Sequence, residues 1–187
     1  HLEVLVDRML REFHISANVG RRQVAYRETI LRTVQSEGIF DRHTGNKEQY
    51  ARVILEVGPS GKGGGIRFES RLAKDALPPE LVAASEAGVR EALESGIIAG
   101  YPMVDVAVAL IEASYDPDVA TEPAYKIAAG VAMRKAFEKA DPVLLEPIMR
   151  VEAVVPEPFT GDTIGDLAAR RAEIQAMLPR PGGLQAV

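Results

Sequence analysis

The alternation of apolar and polar residues predicts most of the structural elements of this chain. Residues 50–57 alternate strictly, with four alanine or aliphatic side chains on one face, which is typical of a half-buried strand. The largely apolar run of residues 103–113 predicts a central strand that is buried on both faces. Apolar residues at helical spacing predict helices over residues 2–13, 80–95, 123–140 and 162–178.

The remaining segments supply further strands and their connections. Strands are predicted over residues 23–36, 66–70 and 149–155. The polar residues 38–47 are predicted to join two long strands into a hairpin with a projecting end, and residues 142–147 to form a linker. The simplest packing is a mixed sheet with two helices on one face, so the predicted fold class is α+β, a two-layer sandwich. A strand–helix unit that begins another layer follows it.

Charge is unevenly distributed along the chain. The 187 residues carry 22 Lys and Arg against 27 Asp and Glu, a formal net charge of −5. Residues 14–67 hold nine basic and five acidic side chains, whereas residues 68–128 hold four and eleven. The first half is therefore locally basic, which is compatible with a polyanionic partner such as nucleic acid.

Composition excludes several classes of protein. The chain has no Cys and three scattered His, which excludes disulfides and thiol nucleophiles and argues against a metal site. No apolar run reaches the roughly 18 residues of a membrane span, and no signal peptide is visible, so we expect a cytoplasmic protein without a membrane partner. An uncapped first helix and a final strand–helix unit that stops after Pro-Gly-Gly lead us to expect a piece of a longer protein.

Two sequence features suggest catalysis only superficially. The glycine-rich residues 58–65 resemble a phosphate loop, but Glu56 replaces the first glycine of that motif and Gly63 its Ser or Thr. We interpret the segment as a turn and keep a small phosphoryl-transfer enzyme as an alternative of another class. Asp116 and Asp118 offer paired carboxylates, although two acids in a polar loop are usually turn residues.

The polar segment after residue 40 is the most informative. It places cationic and hydrogen-bonding side chains at the end of the predicted hairpin, followed by a tyrosine and a further arginine: Arg42, His43, Thr44, Gly45, Asn46, Lys47, Tyr50 and Arg52. Two interpretations stay open. The hairpin is either an exposed polar turn or a nucleic-acid probe whose cations neutralise phosphates and whose small residues allow close approach.

Several strings of the sequence together resemble translation elongation factor G, a family of translational GTPases. They span essentially the whole chain: residues 1–13, 17–20, 23–29, 44–50, 99–105, 114–115, 144–149 and 161–171. The resemblance implies that residues 1–18 end the family's third domain, residues 19–143 form its fourth and residues 144–187 begin its fifth. It implies a ribosomal-protein-like fold with a left-handed βαβ crossover for the fourth domain, and a partial ferredoxin-like βα unit for the fifth.

The resemblance also implies a function without catalysis in this chain. GTP and Mg would bind an upstream domain, so no cofactor is expected here. The fourth domain of a monomeric factor would enter the A site of the small ribosomal subunit, contact ribosomal RNA and the tRNA–mRNA duplex, and promote translocation in elongation. Its contacts would come from two loops, at about residues 40–50 and 114–122, which match the family at Thr44, Gly45, Lys47, Gln49, Tyr50, Ser114, Tyr115 and Glu122. Within or beside these loops, Arg42, His43, Arg52 and Asp116 are further candidate contact residues.

The chain departs from the family pattern in both loops. Glu48, Ala51 and Asn46 stand where the family usually has glycines. Asp116, followed by Pro117, stands where translocating factors usually carry a histidine before an acid. A carboxylate in place of an imidazole removes a hydrogen-bond donor and repels phosphate. A paralog specialised in ribosome recycling, or one that protects the ribosome from an antibiotic, is therefore an alternative.

Overall fold

The computed structural model describes residues 2–15, 24–44 and 47–187. The chain divides into two compact units, residues 1–147 and 148–187. Its α-helices are α1 (Leu2–Phe13), α2 (Pro79–Leu93), α3 (Glu122–Lys139) and α4 (Thr160–Ala169), with a 3₁₀ helix at Glu157–Phe159. Its strands are β1 (Arg27–Ile30), β2 (Val34–Thr44), β3 (Lys47–Pro59), β4 (Arg67–Ser70), β5 (Val106–Ala113), β6 (Pro142–Leu145), β7 (Val154–Pro156), β8 (Leu178–Arg180) and β9 (Leu184–Ala186).

The larger unit contains the main sheet of four strands in the order β2-β3-β5-β4, and a second sheet of β1 and β6. The antiparallel hairpin of β2 and β3 is paired along its whole length, from Val34 opposite Val57 to Thr44 opposite Lys47. Strand β5 is antiparallel to β3 and parallel to β4, and α2 forms the crossover between β4 and β5. Since β5 has a neighbour on each side, the prediction of a central strand is confirmed.

The core lies between one face of this sheet and two helices. The residues of β3 that alternate on the apolar face are fully buried: Ala51, Val53, Leu55 and Val57. Helix α3 packs against β2 and β3, and α2 packs against α3. Burial of alternate strand residues against an apolar helix face is the arrangement that the period-2 pattern predicted. The predicted α+β two-layer class is confirmed.

Two glycines set how closely the layers approach. A Cβ atom on Gly38 of β2 would lie 1.9 Å from the carbonyl oxygen of Ala128 in α3. A Cβ atom on Gly88 of α2 would lie 2.1 Å from the carbonyl oxygen of Lys126 in α3. Both strand and helix therefore contact the backbone of α3 directly, and any side chain at these glycines would separate the elements.

The structure corrects the predicted strand of residues 23–36. It contains two strands, β1 and β2, separated by residues 31–33, and residue 23 lies outside the described part of the chain. The strands belong to different sheets, because β1 pairs with β6 and β2 pairs with β3. The prediction of a linker over residues 142–147 is also wrong, because Pro142–Leu145 form β6, the partner of β1.

Two other boundaries differ from the predictions. Residues 38–44 and 47 of the predicted polar connection belong to the hairpin strands, because β2 continues to Thr44 and β3 begins at Lys47; the hairpin strands are longer than predicted. The strand predicted from residue 103 begins at Val106, since Asp105 has a φ of 57°, which interrupts an extended strand. The expected boundary between the third and fourth domains, after residue 18, lies outside the described residues.

The smaller unit is a three-stranded antiparallel sheet of order β7-β9-β8 with the 3₁₀ helix and α4 after β7. The predicted strand of residues 149–155 is shortened to β7. The predicted helix of residues 162–178 ends at Ala169, because Arg171 has a φ of 63°. Residues 172–177 have no regular secondary structure, and Leu178, the last residue of the predicted helix, begins β8.

Candidate nucleic-acid interface

Two segments that are far apart in sequence meet at one end of the main sheet. The backbone N–H of Tyr50 donates to the carbonyl of Val119 at 3.1 Å, and that of Ser114 donates to the carbonyl of Arg52 at 3.0 Å. These bonds hold the loop between β5 and α3 beside the hairpin. We call residues 41–44 and 47–50 together with the loop of residues 114–121 the tip.

Helix α3 holds the second segment of the tip in place. The hydroxyl of Tyr125, a fully buried residue of α3, donates to the carbonyl of Ser114. Burial, reinforced by nearby Tyr115 and Asp116, raises the pKa of Tyr125 to about 12, so its hydroxyl keeps the proton that it donates. At the helix start the Thr121 hydroxyl accepts from the backbone N–H of Ala124 at 3.4 Å.

Asp116 forms the turn within this loop. Its carboxylate accepts from the backbone N–H of Asp118 at 3.0 Å, and its carbonyl accepts from the N–H of Ala120 at 2.8 Å. The interpretation of Asp116 and Asp118 as turn residues is thereby confirmed. Within the described part of the chain, no three His, Asp or Glu side chains are grouped as metal ligands would be.

The two segments of the tip enclose a cleft of about 330 Å³. It is lined by six of the predicted contact residues and by three others: His43, Gln49, Tyr50, Ser114, Tyr115 and Asp116, with Asp41, Glu48 and Val119. Polar acceptors and two aromatic rings therefore converge in one concave site.

The cleft is rich in carboxylates. Nδ1 of His43 lies 3.3 Å from an oxygen of Asp41, and Nε2 lies 3.0 Å from an oxygen of Glu48. Asp116 adds a third carboxylate. The basic bias of residues 14–67 is thus not concentrated in the cleft, and this surface would accept hydrogen bonds more readily than it would bind phosphate.

The predicted arginines differ in their surroundings. Arg52 forms ion pairs with Glu37 on β2 and with Glu112 on β5, the latter at 2.6 Å. Hydrogen bonds from the guanidinium to Glu112 and Glu37 raise the pKa of Arg52. Its charge is therefore neutralised on the sheet face. The exposed Arg42 has no hydrogen bond or ion pair to the side chains that the structure describes.

The other predicted residues of the hairpin end are placed by the backbone. Thr44 and Lys47 face each other as the last pair of the β2–β3 ladder. Gly45 and Asn46 lie outside the described residues. Glu122 is the first residue of α3, beside the second segment of the tip.

Sequence reasoning missed four residues of this site. Asp41, Glu48 and Val119 line the cleft, and Tyr125 positions the loop. Asp41 precedes Arg42 directly, and its strand position facing Tyr50 could have been found by extending the β3 alternation into β2. Tyr125 carries a weaker signal, that of a lone large polar ring in an alanine-rich helix.

The glycine-rich turn of residues 58–65 lies at the end of β3 that is remote from the tip, and its backbone binds a carboxylate of the protein itself. The backbone N–H groups of Gly63 and Gly65 donate to the two carboxylate oxygens of Asp105, at 3.0 and 2.9 Å. These bonds lower the pKa of Asp105. The amides that a phosphate loop would offer to a nucleotide are therefore engaged by an internal carboxylate, which argues against the phosphoryl-transfer alternative.

Comparison with known protein families identifies this arrangement. The family model described as Elongation factor G, domain IV matches residues 22–141, and the model described as Elongation factor G C-terminus matches residues 143–187. The chain belongs to the elongation factor G family. Both matched segments are non-catalytic parts of this translation factor family, whose members interact with the ribosome.

A solved structure supports the same assignment of the fold. The crystal structure of a protein from Thermus thermophilus is 32% identical to this elongation factor G segment, with a TM-score of 0.87. The match covers 100% of this chain and 27% of that protein, so the chain spans about a quarter of its length. None of the described helices combines the length and apolar character that crossing a bilayer requires.

Proposed function

We propose that the tip enters the A site of the small ribosomal subunit and contacts the tRNA–mRNA duplex during translocation. The observation that carries the proposal is that residues 41–43 and 48–50 meet residues 114–119 at one concave end of the domain, joined by the Tyr50–Val119 hydrogen bond. In this proposal the chain acts as part of a longer, monomeric cytoplasmic GTPase that binds GTP and Mg in another domain.

The work of such a domain is steric, and the long hairpin suits it. At about 3.3 Å per residue, the 13 residues of β3 extend over roughly 40 Å. The strand is paired with β2 over residues 47–57 and also with β5 from residue 53 onward, and its inward residues are fully buried. A rigid, protruding end can occupy a binding site without large deformation, which a flexible loop of the same length could not do.

The experiment replaces Arg42 and Lys47 together by Ala in the full-length factor and measures translocation on ribosomes. Loss of charged contacts to RNA is expected to slow translocation by about tenfold. Arg134→Ala is the matched control, because Arg134 is an exposed arginine on α3, outside the tip. Unchanged rates of translocation and recycling in the double variant would contradict the proposed role.

Ribosome recycling is the second candidate function. Asp116 favours it, because this carboxylate lines the cleft at the position where translocating relatives usually carry a histidine. Translocation and recycling measured side by side with the same full-length factor distinguish the two functions. A factor that splits ribosomes but fails to move tRNA would replace translocation by recycling in the proposal.

A further inference from the structure

We propose that the cleft of the tip binds a single unstacked nucleobase, and specifically one that presents amino hydrogens on its edge. The proposal deepens the proposed function, on which it rests, because the base would belong to RNA that the tip meets. The cleft would recognise the edges of bases and not the phosphates of the RNA backbone.

The size and walls of the cleft fit one nucleoside. Its volume of about 330 Å³ lies at the lower end of the range for small-molecule sites. Tyr50 contributes a half-buried ring from β3, and Tyr115 contributes a ring that is 46% exposed from the second segment of the tip. Proteins hold unpaired bases mainly by stacking them on such aromatic side chains.

The polar groups of the cleft select the edge of the base. Glu48 and Asp116 each keep a second carboxylate oxygen as an acceptor, beside the oxygen bonded to His43 or to the Asp118 N–H, and the amide of Gln49 both donates and accepts. Carboxylates accept hydrogen bonds from amino groups such as N4 of cytosine. Uracil has carbonyl oxygens where cytosine or adenine has an amino group, so we infer a preference against it. The same carboxylates repel a phosphate group.

An arginine side chain of a basic protein is the competing ligand, and the position of His43 disfavours it. The two imidazole nitrogens of His43 lie within 3.3 Å of carboxylate oxygens of Asp41 and Glu48. A guanidinium would compete with this ring for both acids. A neutral planar base requires no such exchange, since it can accept from or donate to the remaining groups while its face stacks on tyrosine.

The test titrates nucleosides into the isolated 187-residue chain and follows backbone amide NMR signals. Cytidine is expected to shift the signals of Gln49, Tyr50 and Tyr115, and to bind at least about threefold more tightly than uridine or cytidine 5′-monophosphate. Tyr115→Ala is expected to weaken cytidine binding by about tenfold, and Tyr115→Phe, which keeps the ring, to preserve it. The amide spectrum of each variant reports whether it is folded.

Three results would overturn the proposal. The first is an absence of shifts with every nucleoside. The second is tighter binding of the monophosphate than of cytidine, which would make the cleft a phosphate site. The third is a response to argininamide without a response to nucleosides. Because no ribosome is present, failure here leaves the Arg42 and Lys47 experiment unaffected, and failure of that experiment leaves nucleoside binding intact.

Discussion

The hydroxyl of Tyr125 in α3 donates a hydrogen bond to the carbonyl of Ser114, the residue with which the second segment of the tip begins. Tyr125 is fully buried in the core, whereas the neighbouring Tyr115 is 46% exposed in the cleft. One bond therefore ties the exposed loop of the tip to the packed interior. The loop is held by this bond, by the turn at Asp116 and by the backbone bonds to β3.

Tyr125→Phe should loosen the loop while leaving the core packed. The change removes the donor and leaves the Ser114 carbonyl without it, which costs about 1–2 kcal/mol in free energy of unfolding. Hydrogen exchange should accelerate at residues 114–119 more than in β3. Tyr26→Phe serves as the control, because the Tyr26 hydroxyl has no hydrogen-bond partner among the described residues. Equal exchange in the two variants would speak against the proposed positioning role.

Glu28 is a fully buried carboxylate that organises the segment after α2. Its oxygens accept from the backbone N–H groups of Ile98, Ala99 and Tyr101 at 2.9–3.1 Å. Burial alone would raise its pKa, but these bonds and one from Ile97 outweigh burial, so the pKa lies below its ordinary value of 4.5.

Glu28→Gln should therefore destabilise the protein in a pH-dependent way. An amide presents its own N–H groups to backbone donors, so we expect a loss of about 2–3 kcal/mol in unfolding free energy at pH 7. The depressed pKa of Glu28 stabilises the native state above pH 4.5, and this stabilisation disappears as the pH falls through the folded-state pKa. Urea unfolding at pH 7 and pH 3 measures it, with exposed Glu138→Gln as control. A constant gap between Glu28→Gln and the unsubstituted protein would refute this linkage.

The sequence predicted the elements that leave a periodic pattern in their own residues. The prediction failed for strands that form only because a distant partner strand pairs with them. The alternation of β3 and the apolar run of β5 were sufficient, because burial on one or both faces leaves a periodic pattern. Strands β1 and β6 are four residues each and pair with each other, with one further bridge from Glu28 to Met103, so their sequences resemble those of a loop or a linker. The break at residues 31–33 reflects a change of sheet, which no local pattern records.

The sequence indicated which segments meet at the candidate site better than it indicated the charges of that site. The resemblance to elongation factor G pointed to both segments of the tip, but cation counts along the chain suggested a basic probe. The structure pairs Arg52 with Glu37 and Glu112 and brings Asp41 to the cleft. Such pairing joins residues of neighbouring strands, so a count along the sequence cannot resolve it.

Two helical glycines should respond in opposite directions to alanine. Gly88→Ala places a Cβ atom 2.1 Å from the carbonyl oxygen of Lys126, so α2 and α3 must separate; we expect a loss of about 2–4 kcal/mol. At Gly130 the nearest atom would lie 4.0 Å away, and Gly130→Ala should gain about 0.5–1 kcal/mol from helix propensity. Thermal unfolding of both variants checks the pair. A stabilised Gly88→Ala protein would show that the helices pack less closely than described.

Substitutions of Asp105 test whether the glycine-rich turn depends on an internal carboxylate. Asn tolerates the φ of 57° at this position but provides one oxygen acceptor in place of two for Gly63 and Gly65, so Asp105→Asn should lower the melting temperature. Asp105→Ala should lower it further, since it removes both acceptors and strains the backbone.

Asp75 provides the matched control for backbone strain. It has a φ of 64° and no side-chain hydrogen bond to the described residues, so Asp75→Asn should be neutral and Asp75→Ala should report strain alone. The excess effect at Asp105 is then the contribution of its two hydrogen bonds. Because those bonds lower the pKa of Asp105, the excess should shrink as the pH falls through that pKa. Equal melting temperatures for Asp105→Ala and Asp75→Ala would mean that the carboxylate does not hold the turn.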